Sequence, residues 1–163
     1  MDPVQVAVMP QEIERKFLVT GTGFKRGARS TRYRQGYLVT DPRRSVRVRV
    51  GGGEAFLTIK GPTSGATRQE YEYPIPVAHA AEIVERLALA PVIDKTRHVV
   101  EVDGLVWEVD EFHGENEGLV IAEVELHSED QPITLPEWVG EEVTLDSRYI
   151  NQSLVENPYS SWK

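Results

Sequence analysis

Apolar and polar residues alternate along most of this chain, in short runs broken by glycine, proline and aspartate. A period of two belongs to strands that bury one face and leave the other polar. It predicts strands over residues 12–20, 32–39, 45–50, 54–60, 68–75, 93–102, 105–112 and 119–127. Turn signals separate them: Gly21-Thr22-Gly23, Asp41-Pro42, Gly51-Gly52-Gly53, Gly61-Pro62, Asp103-Gly104 and the stretch 114–118. Gly51-Gly52-Gly53 and Asp103-Gly104 suit tight hairpins, so neighbouring strands are expected to run antiparallel. Over residues 77–89 the period changes: Ala80, Ile83, Val84 and Leu87 recur at helical spacing and Pro91 stops the run. A second helix is expected over 147–156, with Asp146 as its N-cap and Pro158 beyond its end. Pro132 and Pro136 mark an irregular approach to it. No long repeat and no linker interrupts the pattern, which reads as one domain over 1–163 with its core at about 11–156.

The polar face is charged in most of these strands. In the first, Glu12, Glu14 and Lys16 share one face while Ile13 and Phe17 share the other. Two carboxylates about 7 Å apart along a strand, at ~3.4 Å per residue, can converge on one hard cation, and the lysine suits an anion that the cation also binds. Arg47 and Arg49 lie opposite Val46, Val48 and Val50; Thr58 and Lys60 lie opposite Leu57 and Ile59. Arg68, Glu70 and Glu72 align, as do Lys95 and Arg97; Glu108 and Asp110 oppose Trp107 and Val109, and Glu123 and Glu125 oppose Ala122, Val124 and Leu126. An open sheet with one wet face accounts for the alternation alone. Repeats of one sign within a strand are unfavourable, however, unless opposite charge sits among them. Eight antiparallel strands can also close into a barrel, with acidic and basic strands around one cavity and the apolar face covered from outside. Burying so many charges costs several kcal/mol each unless they are paired or hydrated, which points to function.

Composition narrows the classes. A hydrophobic fraction of 40% over 163 residues supports a packed globule. No cysteine is present, so disulfides, thiolate metal sites and thiol nucleophiles are excluded; a reducing, cytoplasmic setting fits. No run of about 18 apolar residues suits a membrane span, and residues 1–11 lack the basic start of a signal peptide. The net charge of −8 argues against nucleic-acid binding, although a divalent metal and a local cluster of bases can still hold a small polyphosphate. The four histidines show no metal-binding spacing and are expected at the surface. Trp107 and Trp138 are expected in the core.

Glu12-x-Glu14-x-Lys16 resembles the signature of the CYTH superfamily, the triphosphate tunnel metalloenzymes. The resemblance continues through Arg34-Gln35-Gly36-Tyr37-Leu38, Arg47-x-Arg49, Thr58-Ile59-Lys60-Gly61, Arg68-Gln69-Glu70-Tyr71-Glu72, Lys95-Thr96-Arg97, Glu108-x-Asp110, Glu123-Val124-Glu125 and Asp146-x-Arg148-Tyr149-x-Asn151. In that order these segments span nearly the whole chain. They imply a mainly β fold: a closed eight-stranded antiparallel tunnel with a charged lumen, a few flanking helices and a C-terminal helix near one mouth. The chain most resembles the short stand-alone bacterial members, many of which are metal-dependent hydrolases that split inorganic triphosphate into pyrophosphate and orthophosphate.

What the resemblance implies for the site can be stated residue by residue. Glu12, Glu14, Glu123 and Glu125 would hold Mg²⁺ or Mn²⁺. Lys16, Arg47, Arg49, Lys60, Lys95 and Arg97, with Arg148 and Arg68 at the margin, would grip phosphate oxygens. Among Glu70, Glu72, Glu108 and Asp110, one would complete the metal site or orient the attacking water and others would neutralise lumen bases. Glu70, Glu72, Asp110 and Lys95 are the catalytic candidates, and Tyr37 either packs in the wall, the favoured place, or hydrogen-bonds a phosphate. The expected partner is a small triphosphate, with no nucleic acid or membrane, and the protein a monomer or homodimer. Two other readings stand beside this one. The first is turnover of an organic triphosphate (thiamine or nucleoside triphosphate hydrolysis, or cyclisation of the class IV adenylyl cyclase type, whose first strand often opens with His-Phe-Glu). The second is a non-catalytic polyphosphate- or nucleotide-binding module.

Overall fold

A computed structural model describes residues 11–162 of the chain; the segment 1–10, with its lack of signal-peptide features, lies outside them. The alternating segments form β1 (Gln11–Val19), β2 (Arg29–Val39), β3 (Ser45–Gly51), β4 (Glu54–Lys60), β5 (Thr67–Pro74), β6 (Ile93–Val102), β7 (Leu105–Phe112) and β8 (Val120–Glu125). A short β9 (Val139–Glu142) follows, and the helices are α1 (Val77–Arg86) and α2 (Ser153–Glu156). Neighbours run antiparallel in the order β5-β4-β3-β2-β6-β7-β8-β1, and β1 returns to β5, so eight strands close into a barrel with β9 added beside β1. The closing pairs are Gln11 with Gln69, Glu12 with Arg68 and Ile13 with Thr67.

Three apolar clusters locate the layers. Outward residues of β1, β7 and β8 (Phe17, Trp107, Val109, Ala122 and Val124) pack beneath Phe24, Ile133 and Trp138. Outward residues of β3 and β4 (Val48, Val50, Ala55 and Leu57) pack beneath Ala80, Ile83 and Val84 of α1. The third cluster lies inside. Tyr37, Ile93, Phe112 and Ile121 occupy positions of inward parity and meet Leu154 and Val155 of α2, so apolar side chains fill one end of the barrel. The C-terminal segment does sit at one end of the barrel, in line with expectation.

Three elements differ from the sequence reading. The helix expected over 147–156 is broken into a 3₁₀ turn at Ser147–Tyr149, whose N-cap Asp146 accepts from the Arg148 amide, and the short α2. Between them Ile150 is extended, with ψ 131°, and the chain turns the side chains of Asn151 and Gln152 onto Lys95 and Arg68. The second difference is β9, hidden behind Pro132 and Pro136; its glycine, Gly140, lies against the Leu18 carbonyl of β1. Third, His98 is buried, bonded to Ser30 and Glu111, whereas a surface position was expected.

Gly36 shows how closely α1 is laid on the barrel. A Cβ there would stand 2.5 Å from Cβ of Ala88, just beyond α1, and 3.5 Å from Val84. Gly36→Val should therefore lower stability by about 1–3 kcal/mol, as overpacking does; an unchanged urea-unfolding midpoint would show that α1 can lift away freely.

Candidate active site

Inward positions of seven strands surround a cavity of about 210 Å³. Its walls carry Glu12 and Glu14 from β1, Arg47 and Arg49 from β3, Lys60 from β4, Glu70 and Glu72 from β5, Arg97 from β6, Glu108 from β7, and Glu123 and Glu125 from β8. Register brings them together: Arg47 faces Thr58, Thr58 faces Glu72, Lys60 faces Glu70, Glu108 faces Glu123 and Lys16 faces Glu123. Seven carboxylates against four bases leave an excess of three negative charges on the lining.

The lysines are committed to carboxylates. Lys60 Nζ lies 2.8 Å from Glu12 and 3.1 Å from Glu70; Lys16 Nζ lies 2.9 Å from Glu14 and 3.3 Å from Glu123. Burial would lower the Lys16 ammonium, but Glu123, Glu14 and Glu12 hold it above its ordinary value. Lys16 itself lines a small adjoining cleft with Glu12, Glu14 and Arg68. The arginines are less satisfied. Arg47 bonds to Thr58 and stands 3.8 Å from Glu72, with its Nε buried and unpartnered. Arg49 makes no ion pair among the described residues. It lies over the rings of Tyr33 at 4.8 Å and Phe56 at 5.8 Å, and its Nε is likewise unpartnered. Burial first, then the charges of Arg47 and Arg97, lowers the Arg49 pKa.

Like charges are also gathered among the acids. Burial, followed by the fields of Glu12, Glu70 and Glu14, raises the Glu125 pKa. Glu108 is raised by burial and by Glu123 and Asp110, against the pull of Arg97. The donors suit a hard divalent cation: carboxylate oxygens crowded enough to oppose one another. Among the described residues, no three Asp, Glu, His or Cys side chains already form a cluster able to hold a metal ion. Several of the carboxylates are instead turned to the lysines.

Besides Lys16, the expected site residues Asp110, Lys95, Arg148 and Arg68 lie off the cavity wall. Asp110 and Lys95 have side chains only 1% exposed and pair with each other at 2.8 Å behind the wall. Arg97 forks onto the same carboxylate through Nε and Nη2; its Nη1 meets Glu108, and Nη2 also stands 3.8 Å from Glu123. Arg148 is exposed, held by Asp146 at 2.7 Å, and lies over the rings of Tyr149 and Trp162. Arg68 serves structure at the closing seam, donating to the Gly61 carbonyl and to Gln152. Tyr37 is buried in the wall, beside Arg47 and Gln35. The charge pattern gave no sign of the amides of Gln35, Asn151 and Gln152. Two signals could have pointed to them: a neutral polar residue at an inward position, as at Gln35, and the motifs of the family resemblance, which contain Gln35 and Asn151.

A closed antiparallel barrel with paired acids and under-satisfied guanidiniums in its lumen defines a receptor for a small polyanion together with a cation. The chain belongs to the CYTH domain family, whose model matches residues 10–157. It is 52% identical to an inorganic triphosphatase of Acetivibrio thermocellus over 95% of this chain and 99% of that one. With an inorganic triphosphatase of Nitrosomonas europaea it shares 42% identity over 88% and 95%. A crystal structure of an inorganic triphosphatase superposes with a TM-score of 0.66 at 38% identity, covering 88% of this chain and 93% of that one. A protein from Pyrococcus horikoshii, at 22% identity and a TM-score of 0.57 over 72% of this chain and 80% of its own, shares the fold.

Asp110 gives the site a stability signature. Burial alone would raise its carboxyl; Arg97 and Lys95 overcome that and hold it well below the usual range. Its contribution is therefore complete above the ordinary Asp value and is lost only as pH falls through the lower folded value. Asp110→Ala strands two buried cations and should cost about 3–5 kcal/mol, read by urea unfolding at neutral pH. A loss below about 1 kcal/mol would mean that water replaces the carboxylate without penalty.

Proposed function

We propose that this chain hydrolyses inorganic triphosphate to pyrophosphate and orthophosphate inside the tunnel, with a divalent cation. One observation carries the reading: unpartnered arginine donors and an excess of carboxylates line the same cavity. A polyanion alone would meet a negative lining. A cation alone would leave Arg47 and Arg49 unsatisfied. The two together answer both. Relatives named inorganic triphosphatase, matched over nearly their whole length, support the inorganic substrate.

Glu12, Glu14, Glu123 and Glu125 are the residues that would hold Mg²⁺ or Mn²⁺. When bound, the ion supplies positive charge to the phosphate oxygens and neutralises what develops there. A carboxylate that held the ion would give up its lysine, Glu12 its pair with Lys60 and Glu14 its pair with Lys16, leaving Lys60 to Glu70 and Lys16 to Glu123. The ammoniums of Lys16 and Lys60 and the guanidiniums of Arg47, Arg49 and Arg97 hold the phosphate chain in line. Glu70 and Glu72, on the wall beside Lys60 and Arg47, orient the attacking water and accept its proton. The water oxygen bonds to the terminal phosphorus, the bridging P–O bond breaks, and its electron pair leaves with pyrophosphate. Lys95 and Asp110 act from behind the wall rather than on the reacting atoms, and Arg148 stands outside the set. The reading keeps the enzyme in the cytoplasm, which suits a chain without cysteine.

Phosphate release should be measured on inorganic triphosphate, ATP, thiamine triphosphate and pyrophosphate, with and without Mg²⁺ or Mn²⁺. Release from inorganic triphosphate in the presence of metal, well above that from the others, is expected. Glu12→Gln and Glu14→Gln should each lower it by about 100-fold or more. Preference for ATP or thiamine triphosphate would replace the substrate, binding without release would make the protein a receptor, and full activity in both variants would remove the metal assignment.

A further inference from the structure

Arg97 reaches the tunnel from an anchor buried beneath it. Asp110, fully buried, accepts Nε of Arg97 at 2.8 Å and Nη2 at 2.9 Å. That fork fixes the guanidinium, but by itself it would also cancel the positive charge that Arg97 brings to the lumen. Lys95 compensates: its Nζ donates to the same carboxylate at 2.8 Å. The second acceptor of Lys95 Nζ is Asn151 Oδ1 at 2.9 Å, and that oxygen also accepts from Gln35 Nε2 at 2.9 Å. Beneath the lumen, two cations, one anion and two neutral amides thus form a chain with a single net positive charge, which Arg97 carries up to Glu108 and Glu123 on the cavity wall. The member of it that faces the tunnel is Arg97.

We propose that Asn151 is a positioning residue for substrate binding, whose uncharged amide holds Lys95 on Asp110 so that the positive charge Arg97 brings to the tunnel is not cancelled from beneath. The proposal rests on the tunnel being the triphosphate site. Asparagine is the informative choice at this position. An aspartate has nearly the same shape, and as an acceptor for a buried ammonium it is stronger than an amide. Packing and hydrogen bonding would therefore favour an acid here, and acids are abundant elsewhere in the lumen. A carboxylate at 151 would bring the buried chain to zero net charge and spend on itself what Lys95 restores. The residue comes from the break between Ile150 and α2, so the interrupted C-terminal helix has a consequence for binding: its docking delivers the amide.

Asn151→Asp, Asn151→Ala and Lys95→Met separate charge from packing. The measurements are KM and kcat for inorganic triphosphate with Mg²⁺, calorimetric titration with pyrophosphate in Mg²⁺, and thermal unfolding. Asn151→Asp should keep the thermal midpoint at or above that of the unaltered protein, yet raise KM and the pyrophosphate Kd about tenfold, the effect of a unit charge lost near the anion; kcat should change less. Lys95→Met, which brings the buried chain to zero by deletion, should weaken binding to the same degree. Asn151→Ala leaves the charge intact, so it should lower the midpoint while weakening binding less than Asn151→Asp does. Unchanged binding in both Asn151→Asp and Lys95→Met overturns the proposal, as does equal weakening by Asn151→Ala and Asn151→Asp, which would make Asn151 a packing residue. Should the unaltered protein neither bind nor split these phosphates, the hydrolase reading itself fails and takes this inference with it.

Discussion

Everything in the lumen depends on β1 bonding along both of its edges. One edge pairs with β8 from Glu14 to Leu18; the other pairs with β5 over Gln11–Ile13 before β9 takes it over. The short pairing with β5 turns a sheet into a tunnel. It brings Glu12 to within 2.8 Å of Lys60, a residue that an open sheet of the same strand order would place at the far side. Closure also removes most of the water that would otherwise screen these charges, so each must find a partner across the cavity or remain costly.

Pairing inside the tunnel is incomplete, and the incompleteness is organised. Acids crowd acids where Glu12, Glu14 and Glu70 act on Glu125, and bases crowd bases where Arg47 and Arg97 act on Arg49. Both arrangements disfavour the fold on its own. They are relieved by a ligand that carries both signs, a cation bound to a polyanion, and such a ligand stabilises the native state in proportion to how much repulsion it removes. The rings of Tyr33 and Phe56 keep Arg49 in place without consuming its charge, which a carboxylate partner would do. The same logic governs Arg97, where the anchor is a carboxylate and Lys95 compensates for it.

Most of this was legible in the sequence because the charges that line the cavity keep a period of two along each strand. Eight of the nine strands, and which residues share the charged face, follow from alternation alone. The choice between a wet sheet face and a closed lumen did not follow from it, because both give the same pattern; the ordered family motifs made that choice. What stayed hidden has a physical cause in each case. β9 is four residues long, two of them acidic, and its place beside β1 depends on tertiary contact rather than on its own pattern. Lys95 and Asp110 have the same parity as the cavity-lining charges. Their depth, behind the wall rather than on it, is set by Phe112 and Asn151, which no strand pattern encodes. Arg148 matches a motif, but the broken helix turns it to Asp146 and solvent.

The apolar plug explains why depth matters. Tyr37, Ile93, Phe112, Ile121, Leu154 and Val155 fill the barrel end next to the Lys95–Asp110 pair, so that pair sits in hydrocarbon on one side and polar lumen on the other. Burial, with the charges of Arg97 and Arg47, accordingly pulls the Lys95 ammonium below its ordinary value even with Asp110 beside it. A charge held in such surroundings acts over a longer distance than one in water, because little solvent reorients to screen it. Lys95 and Asp110 thus add to the field of the tunnel from positions off its lining. The C-terminal segment that supplies Leu154 and Val155 for the plug also supplies Asn151 for Lys95, so sealing the barrel end and fixing the charge of its floor are one structural event.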